Sequence, residues 1–182
     1  MRSRLIACAA AAGLFVLAGC SDDEQPAALP PVQVVDQPAA SAGGACILWD
    51  YAFIKKELGV MFTVAAAGRL DDAVTCVVQT EADAPFLALS VVDSSKADAE
   101  LFTEDLMPAK ATKVKGLGKA GYRLVGKASG KFGPSIEVGW LSEAAQLQTL
   151  RFTFAKGADK AAVEQMSTRL IAMAKVMDTT KG

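Results

Sequence analysis

The segment Gln146-Leu-Gln-Thr-Leu-Arg-Phe-Thr-Phe-Ala155 indicates the fold class of this 182-residue chain. Leu150, Phe152 and Phe154 alternate with Arg151 and Thr153. A period of two is typical of a β-strand with one buried face and one polar face. The segment therefore predicts a strand whose apolar face packs inward, and it defines the sheet that the flanking sequence has to complete.

Further strands are predicted on the N-terminal side of this segment, with short turns between neighbours. They span Ala73 to Thr80, Phe86 to Val92, Gly121 to Lys127 and Ser135 to Leu141. Residues 60–67 are apolar and fit either another strand or an extension of the preceding helix. Because neighbouring strands are joined by short turns and do not alternate with helices, we expect a largely antiparallel sheet.

Apolar residues recur at intervals of three and four in three other segments, which is the period of an amphipathic helix. The first predicted helix starts at Cys46 and ends at Gly59 as its C-cap. The second opens with the capping box Ser95–Asp98 and is stopped by Pro108, and the third follows Asp159 as its N-cap. The apolar stripe of the first helix is Ile47, Tyr51, Ile54 and Leu58, and that of the third is Val163, Met166, Leu170, Met173 and Met177. The prediction is an α+β domain of five or six strands and about three helices, with the helices packed on one face of the sheet.

The composition excludes several classes of function. The chain has no histidine, so Ser-His-Asp and Cys-His catalysis and HExxH zinc sites are all ruled out. A net charge of −1 argues against a general nucleic-acid binder, and 52% apolar residues argue against a mostly disordered chain. The sequence contains no recognisable set of catalytic residues, and it predicts no cofactor and no metal.

One glycine-rich segment matches a nucleotide-binding pattern as a string. Residues 116–121 read Gly-Leu-Gly-Lys-Ala-Gly, which satisfies GxGxxG. The dinucleotide fingerprint needs a strand before this motif and a helix after it, whereas Tyr122 to Val125 predicts a strand after it. A P-loop match beginning at Gly121 fails at Ala128, which lacks the hydroxyl that binds magnesium. These glycines are therefore predicted to shape a turn.

The N-terminus indicates export. Arg2 and Arg4 precede fourteen uncharged residues, Leu5 to Ala18, and this stretch is too short to span a bilayer. The following Leu17-Ala-Gly-Cys20 resembles the lipobox of bacterial lipoproteins. That resemblance implies lipidation of the Cys20 sulfur and cleavage before Cys20, so that acyl chains hold the protein on a membrane.

The rest of the chain divides into a tether and a domain. Residues 1–19 are the predicted signal peptide, residues 20–45 a lipidated cysteine and a Pro/Ala-rich tether, and residues 46–182 a single globular domain. Once Cys8 is removed and Cys20 is lipidated, Cys46 and Cys76 remain in a compartment where disulfides persist. A structural disulfide is the favoured prediction, and two buried free thiols or a redox pair are the alternatives.

Charge is segregated along the domain sequence. Nine acidic residues and one base, Lys96, lie in the segment from Asp71 to Asp105. The segment from Met107 to Ile136 contains seven bases and no acidic residue. One interpretation is two solvated faces. The other is that the basic segment contacts an anionic envelope component, such as phospholipid headgroups or a phosphorylated polymer. The candidate contact residues are Lys110, Lys113, Lys115, Lys119, Arg123, Lys127 and Lys131.

Several of these features occur together in one family. A cysteine lies directly before a helix that ends in Glu57-Leu-Gly59, a second cysteine lies in the next strand, and Lys115-Gly-Leu-Gly-Lys-Ala-Gly-Tyr122 precedes the last strands and a closing helix. From Cys46 to about Asp178 the chain resembles a mostly actinobacterial family of lipoproteins of unknown function. The resemblance implies an α+β domain with one disulfide and no established catalytic residue.

The sequence therefore predicts a lipoprotein anchored in the cell membrane or outer membrane and facing outside the cytoplasm. It is expected to act as a non-enzymatic binding or interaction module. The alternatives are a carrier of a hydrophobic ligand held between sheet and helices, and an envelope hydrolase using carboxylates such as Glu137 or Glu143. The expected partners are the membrane, through the lipid anchor, and an anionic envelope component or an envelope protein, with no nucleic acid.

Overall fold

The computed structural model describes residues 37–93 and 96–179, apart from the side chains of Leu70 and Thr179, and these residues form one seven-stranded antiparallel sheet with three helices. The strands are β1 (Val64–Leu70), β2 (Ala73–Gln79), β3 (Phe86–Asp93), β4 (Thr112–Lys113), β5 (Ala120–Gly126), β6 (Phe132–Leu141) and β7 (Gln146–Ala155). The helices are α1 (Tyr51–Leu58), α2 (Ala99–Leu101), which continues as a π-helical turn (Phe102–Leu106), and α3 (Lys160–Thr179). The predicted α+β class and antiparallel sheet are confirmed, whereas the prediction of five or six strands is wrong.

The spatial order of the strands is β1-β2-β3-β7-β6-β5-β4. The chain builds from one edge to the centre with β1, β2 and β3, crosses through α2 to the opposite edge, and returns with β4 to β7. The strand from which the prediction started, β7, has the predicted bounds and lies between β3 and β6. Strand β7 is central because it is the last strand of the second run, β4 to β7, and pairs with β3, the last strand of the first run.

Two strands account for the difference in number. Residues 60–67, which the pattern left open between strand and helix, contribute to β1, and this strand pairs with β2 along its whole length. Strand β4 is only two residues long and pairs with Arg123 and Tyr122 of β5. A two-residue strand carries no alternation, so no sequence pattern predicted it.

Helices α1 and α3 pack on one face of the sheet and enclose the main core. The predicted apolar stripe of α3 is confirmed, since all five of its residues are buried. Asp159 is the N-cap, because its Oδ1 accepts a hydrogen bond of 2.7 Å from the Ala162 amide. Fully buried core residues on the sheet and helices include Ile54, Leu58, Leu89, Ile136, Trp140, Leu150 and Leu170.

Helix α1 begins later than its apolar pattern indicated. Cys46 lies in a 3₁₀ turn (Gly44–Leu48), and Asp50 is the N-cap of α1, with its Oδ1 accepting from the Ala52 amide at 2.9 Å. Ile47 is 66% exposed and so does not belong to the buried stripe. The predicted end is confirmed, because Gly59 adopts φ +74° and its amide bonds to the Lys55 carbonyl at 2.8 Å.

Helix α2 packs on the other face of the sheet, so the prediction that the helices share one face is wrong. Phe102 stacks on Tyr122 of β5 with ring centroids 5.9 Å apart, whereas the adjacent Arg123 reaches α3. Successive strand residues point to opposite faces, which places α2 and α3 on opposite sides of β5. Helical periodicity identifies an apolar stripe but does not indicate which face of a sheet it covers. Of the predicted capping box, Ser95 lies outside the described residues, and the N-cap of α2 is Asp98.

The predicted signal peptide, Cys20 and the tether up to residue 36 lie outside the described residues. Within the remaining tether segment, residues 39–42 and 44–48 form 3₁₀ turns, with Ala39 and Ala45 buried against the domain. Apolar packing therefore extends N-terminal to Cys46. Among the described helices, none combines the length and the apolar character that a membrane crossing requires.

Candidate functional site

Within the part of the chain that the structure describes, the face of the sheet opposite α1 and α3 is only partly covered. Helix α2 and its π-helical turn lie over the β5 side, where Ala97, Phe102, Tyr122 and Leu141 form a second apolar cluster. The remaining surface over β2, β3, β7 and β6 is a cleft of about 490 Å³, which we call the open-face cleft. Its lining residues are Thr75, Val77, Ala88, Leu89, Ser90, Glu137, Thr149 and Arg151.

The polar floor of the open-face cleft follows from strand alternation. Cys76, Leu89 and Leu150 point into the main core, so the residues beside them in sequence point to the opposite face. Three of these neighbours carry hydroxyls, and they face each other in register across β2, β3 and β7. Thr75, Ser90 and Thr149 thus form one row, which we call the hydroxyl row.

A second row crosses the cleft beside the hydroxyl row. Val77 pairs with Ala88, and Ala88 with Arg151, which in turn lies directly opposite Glu137 on β6. One half of this row is therefore small and apolar, and the other half is a cross-strand pair of opposite charges.

Glu137 is the buried member of that pair, at 8% exposure, and both of its carboxylate oxygens accept hydrogen bonds. The Tyr122 hydroxyl donates to Oε1 at 2.7 Å. Arg151 donates to Oε2 through Nε at 2.8 Å and also through Nη2. The Arg151 side chain is 56% exposed, so its guanidinium meets solvent at the cleft while it neutralises the carboxylate beneath.

Tyr122 closes the network between α2 and the cleft. Its ring lies against Gly139, where an added Cβ would overlap the ring atoms. Burial raises the pKa of Tyr122 first of all, and the hydrogen bond to the Glu137 carboxylate raises it further, whereas a hydrogen bond with Thr149 acts in the opposite direction. Tyr122, Glu137 and Arg151 thus form a connected chain of side chains in which burial and the Glu137 carboxylate favour the neutral tyrosine.

This arrangement engages the Glu137 carboxylate in hydrogen bonds within the fold. Of the two carboxylates named from the sequence, Glu137 lines the cleft, whereas Glu143 is exposed in the turn between β6 and β7. Glycoside hydrolysis requires two carboxylates that flank the bond to be broken, and the cleft lining contains one. Within residues 37–93 and 96–179, no group of three or more His, Cys, Asp or Glu side chains is placed to hold a metal ion.

The structure separates the seven basic candidates. Lys113 lies on the edge strand β4, and three others lie in the turns that flank it, so that Lys110, Lys113, Lys115 and Lys119 share one edge of the sheet, which we call the basic edge. All four are exposed, and none forms an ion pair with another described residue.

The other three bases lie elsewhere. Arg123 points to the helix-covered face, where its Nη1 donates to Ser167 at 3.0 Å and to Glu164 at 3.2 Å. Lys131 forms an ion pair with Asp83. Lys127 is exposed in the turn between β5 and β6, away from β4. Arg123 and Lys131 are therefore used within the fold, because α3 places Glu164 beside Arg123 and the turn between β2 and β3 places Asp83 beside Lys131.

The glycine-rich segment is a turn, as predicted. Gly116 and Gly118 adopt φ +67° and +53°, and strand β5 follows, with no helix after the motif. The Gly118 amide donates to Asp178 Oδ2 of α3 at 3.1 Å. In a phosphate-binding loop such an amide donates to the phosphate, whereas here it donates to a carboxylate of the chain itself.

Cys46 and Cys76 are joined across the core. Their sulfur atoms lie 1.93 Å apart and their Cα atoms 4.9 Å apart, and both residues are fully buried. The disulfide attaches the 3₁₀ turn before α1 to β2, which also supplies part of the cleft floor. The predicted disulfide pair is therefore present in the structure, as a buried cross-link.

The sequence interpretation missed most of the open-face cleft. Thr75, Ser90, Thr149 and Arg151 each lie at the polar positions of strands that were recognised for their apolar positions. The signal that identifies them is their common register, and register becomes known only when the order of the strands is known.

No protein-family model, curated protein or solved structure matches this chain. The resemblance to a family of lipoproteins therefore stays a prediction.

Proposed function

We propose that this protein is a lipid-anchored lipoprotein of the cell envelope and that its domain is a non-enzymatic binding module whose binding site is the open-face cleft. The observation that carries the proposal is the cleft itself. No described residue covers this region of the sheet, whose other face packs against α1 and α3, and the region carries aligned hydroxyls and an exposed guanidinium. A cleft of about 490 Å³ is within the usual size range of small-ligand sites.

The anchor rests on the N-terminal sequence. A positive start, a short apolar stretch and Leu17-Ala-Gly-Cys20 match a lipoprotein signal, and Cys20 is the residue to be acylated. The Pro/Ala-rich composition after Cys20 is that of a tether. A membrane-attached module that binds on its sheet face is consistent with both parts of the chain.

Two alternatives receive less support. A hydrophobic carrier needs an apolar space between sheet and helices, but in this structure that space holds fully buried side chains such as Trp140, Ile54 and Leu170. A hydrolase needs a carboxylate free to accept or donate a proton at the substrate. Both oxygens of Glu137 are engaged by Tyr122 and Arg151.

The anchor is tested by metabolic labelling with an alkyne analogue of palmitate. The full chain is expected to incorporate the label and to fractionate with membranes. The variant Cys20→Ala is expected to lose the label, whereas the matched control Cys8→Ala, changed within the predicted signal peptide, keeps it. Labelling of the Cys20→Ala variant would refute acylation at this residue.

The binding site is tested by site-specific photocrosslinking in native envelopes. A diazirine amino acid replaces Gln79, which lies on the same face of β2 beside Val77 but outside the cleft lining, or, as a control, Thr168 on the exposed side of α3. We expect an adduct from position 79 and none from position 168. Equal adducts at both positions, or none at position 79, would refute the assignment of the site.

The basic edge supports a second contact, with the anionic headgroups of the membrane that holds the anchor. Four exposed lysines without ion pairs within the described residues lie along one sheet edge, and each lysine near an anionic surface contributes on the order of 1 kcal/mol. This contact would orient the domain relative to the membrane and leave the open-face cleft as the ligand site. Its test is the charge reversal described in the Discussion.

A further inference from the structure

We infer that the ligand of the open-face cleft is a saccharide, that is, a neutral polyhydroxylated unit of an envelope glycan. The inference rests on the proposed binding function and specifies the chemistry of its ligand. It is carried by the hydroxyl row, by the balanced charge of the Glu137–Arg151 pair and by the small apolar floor between them.

The hydroxyl row matches alcohols. Each hydroxyl of Thr75, Ser90 and Thr149 has one donor and two acceptor positions, so each can both give and receive a hydrogen bond. Neighbouring strands are about 4.8 Å apart, and three hydroxyls on adjacent strands therefore extend over roughly 10 Å. Thr75, Ser90 and Thr149 are half-buried and line the cleft.

The charge of the cleft argues for a neutral ligand. Glu137 and Arg151 form a direct cross-strand ion pair, and among the described residues no other charged side chain lines the cleft. An anionic ligand would receive attraction from Arg151 and repulsion from the carboxylate beneath it. The N–H groups of the guanidinium that do not face Glu137 are free to donate to neutral oxygens, with the planar geometry that suits two adjacent acceptors.

The apolar part of the floor suits the carbon face of a sugar ring. Val77 and Ala88 lie side by side in the row next to the hydroxyls, and their small side chains leave the surface flat. A fully apolar ligand would instead cover the hydroxyls and leave them without partners, which costs binding free energy. Alternating polar and apolar rows therefore favour a ligand that is itself polar at its edges and apolar on its face.

The test analyses the adduct formed from the photoreactive residue at position 79, beside the cleft, in native envelopes. The crosslinked full-length protein is isolated, digested with protease, and the adduct is hydrolysed in acid and examined by mass spectrometry for hexose or hexosamine. We expect sugar in the adduct. An adduct that contains only peptide, or only acyl lipid without sugar, would overturn the saccharide inference and leave the binding function standing. The absence of any adduct would remove both.

A second measurement locates the contact. Thr75→Val removes one hydroxyl of the row while nearly keeping its shape, and Thr168→Val is the matched control on α3. We expect the sugar-containing adduct at position 79 to fall about three- to tenfold with Thr75→Val and to stay constant with Thr168→Val, since one hydrogen bond to a neutral group is lost. Thermal unfolding verifies that both variants are folded. An unchanged yield with Thr75→Val would contradict recognition by the hydroxyl row.

Discussion

Reduction of the Cys46–Cys76 disulfide is predicted to destabilise the domain by an amount that follows from its loop. The two cysteines are 30 residues apart in sequence. For a loop of this length the chain-entropy relation gives about 3.7 kcal/mol of stabilisation at 25 °C, through restriction of the unfolded chain. This loss corresponds to about a 500-fold change in the unfolding equilibrium constant. For a domain of this size the midpoint of thermal unfolding should fall by roughly 10–15 °C.

The assay is equilibrium unfolding in guanidinium, followed by the fluorescence of Trp49 and Trp140. Both indoles are buried, so their emission should shift when the core opens. Cys8 and Cys20 are changed to alanine in every protein, which leaves one cysteine pair. The free energy of unfolding is compared with and without reductant, and the double variant C46A/C76A is measured under the same two conditions.

Oxidised protein should unfold at a higher guanidinium concentration than reduced protein, and C46A/C76A should not respond to reductant. The double variant should be somewhat less stable than the reduced protein, because two fully buried sulfur atoms are lost from the core. An identical midpoint for oxidised and reduced protein would refute the cross-link as a stabilising element. A response of C46A/C76A to reductant would show that the effect arises elsewhere.

Four further predictions concern the network, the helix cap and the basic edge. Gly139→Ala should destabilise the domain by about 1–3 kcal/mol in chemical denaturation, because the new methyl displaces the Tyr122 ring; a loss below about 0.5 kcal/mol would contradict the close contact. Absorbance at 295 nm should show less tyrosine ionisation at pH 10 in folded than in unfolded protein, because the pKa values of Tyr51 and Tyr122 are both raised. The stability that Tyr122 contributes should be present below its unfolded pKa near 10 and lost as the pH rises toward its raised folded value. Normal tyrosine titration at pH 10 in folded protein would disprove this. Asp159→Ala should cost about 1 kcal/mol in the same denaturation assay through loss of the α3 N-cap, whereas Lys160→Ala should cost less than half of that. Retention on anionic vesicles should fall steeply with salt, and binding that is independent of salt would dismiss the contact. It should also fall on charge reversal to glutamate of Lys113, Lys115 and Lys119 but not of Lys55, Lys56 and Lys160.

Elements whose sequence pattern is local were predicted well. The bounds of β7 follow from a period of two over ten residues, and the buried stripe of α3 from a period of three and four over five apolar positions. The C-cap at Gly59 follows from the conformational freedom that a left-handed backbone requires. In each of these cases the residues that determine the element lie within that one strand, helix or helix end.

Features that depend on the assembly of elements were not predicted. Two residues suffice for β4 because β5 presents an edge for it to pair with, and no property of Thr112 or Lys113 alone indicates this. The face that α2 covers depends on the path of the chain from β3 to the far edge of the sheet. The bases of the segment from Met107 to Ile136 are likewise separated in the fold, because Lys131 contacts Asp83 and Arg123 contacts α3.

Helix α2 and the open-face cleft are parts of one arrangement. Phe102 stacks on Tyr122 and holds its ring against Gly139, which directs the tyrosine hydroxyl to Glu137. Glu137 in turn fixes the Arg151 guanidinium at the cleft. A long and flexible arginine is thereby immobilised before any ligand arrives, so less conformational entropy is lost on binding. The crossover that places α2 on this face therefore positions, through Tyr122 and Glu137, the guanidinium of the proposed binding site.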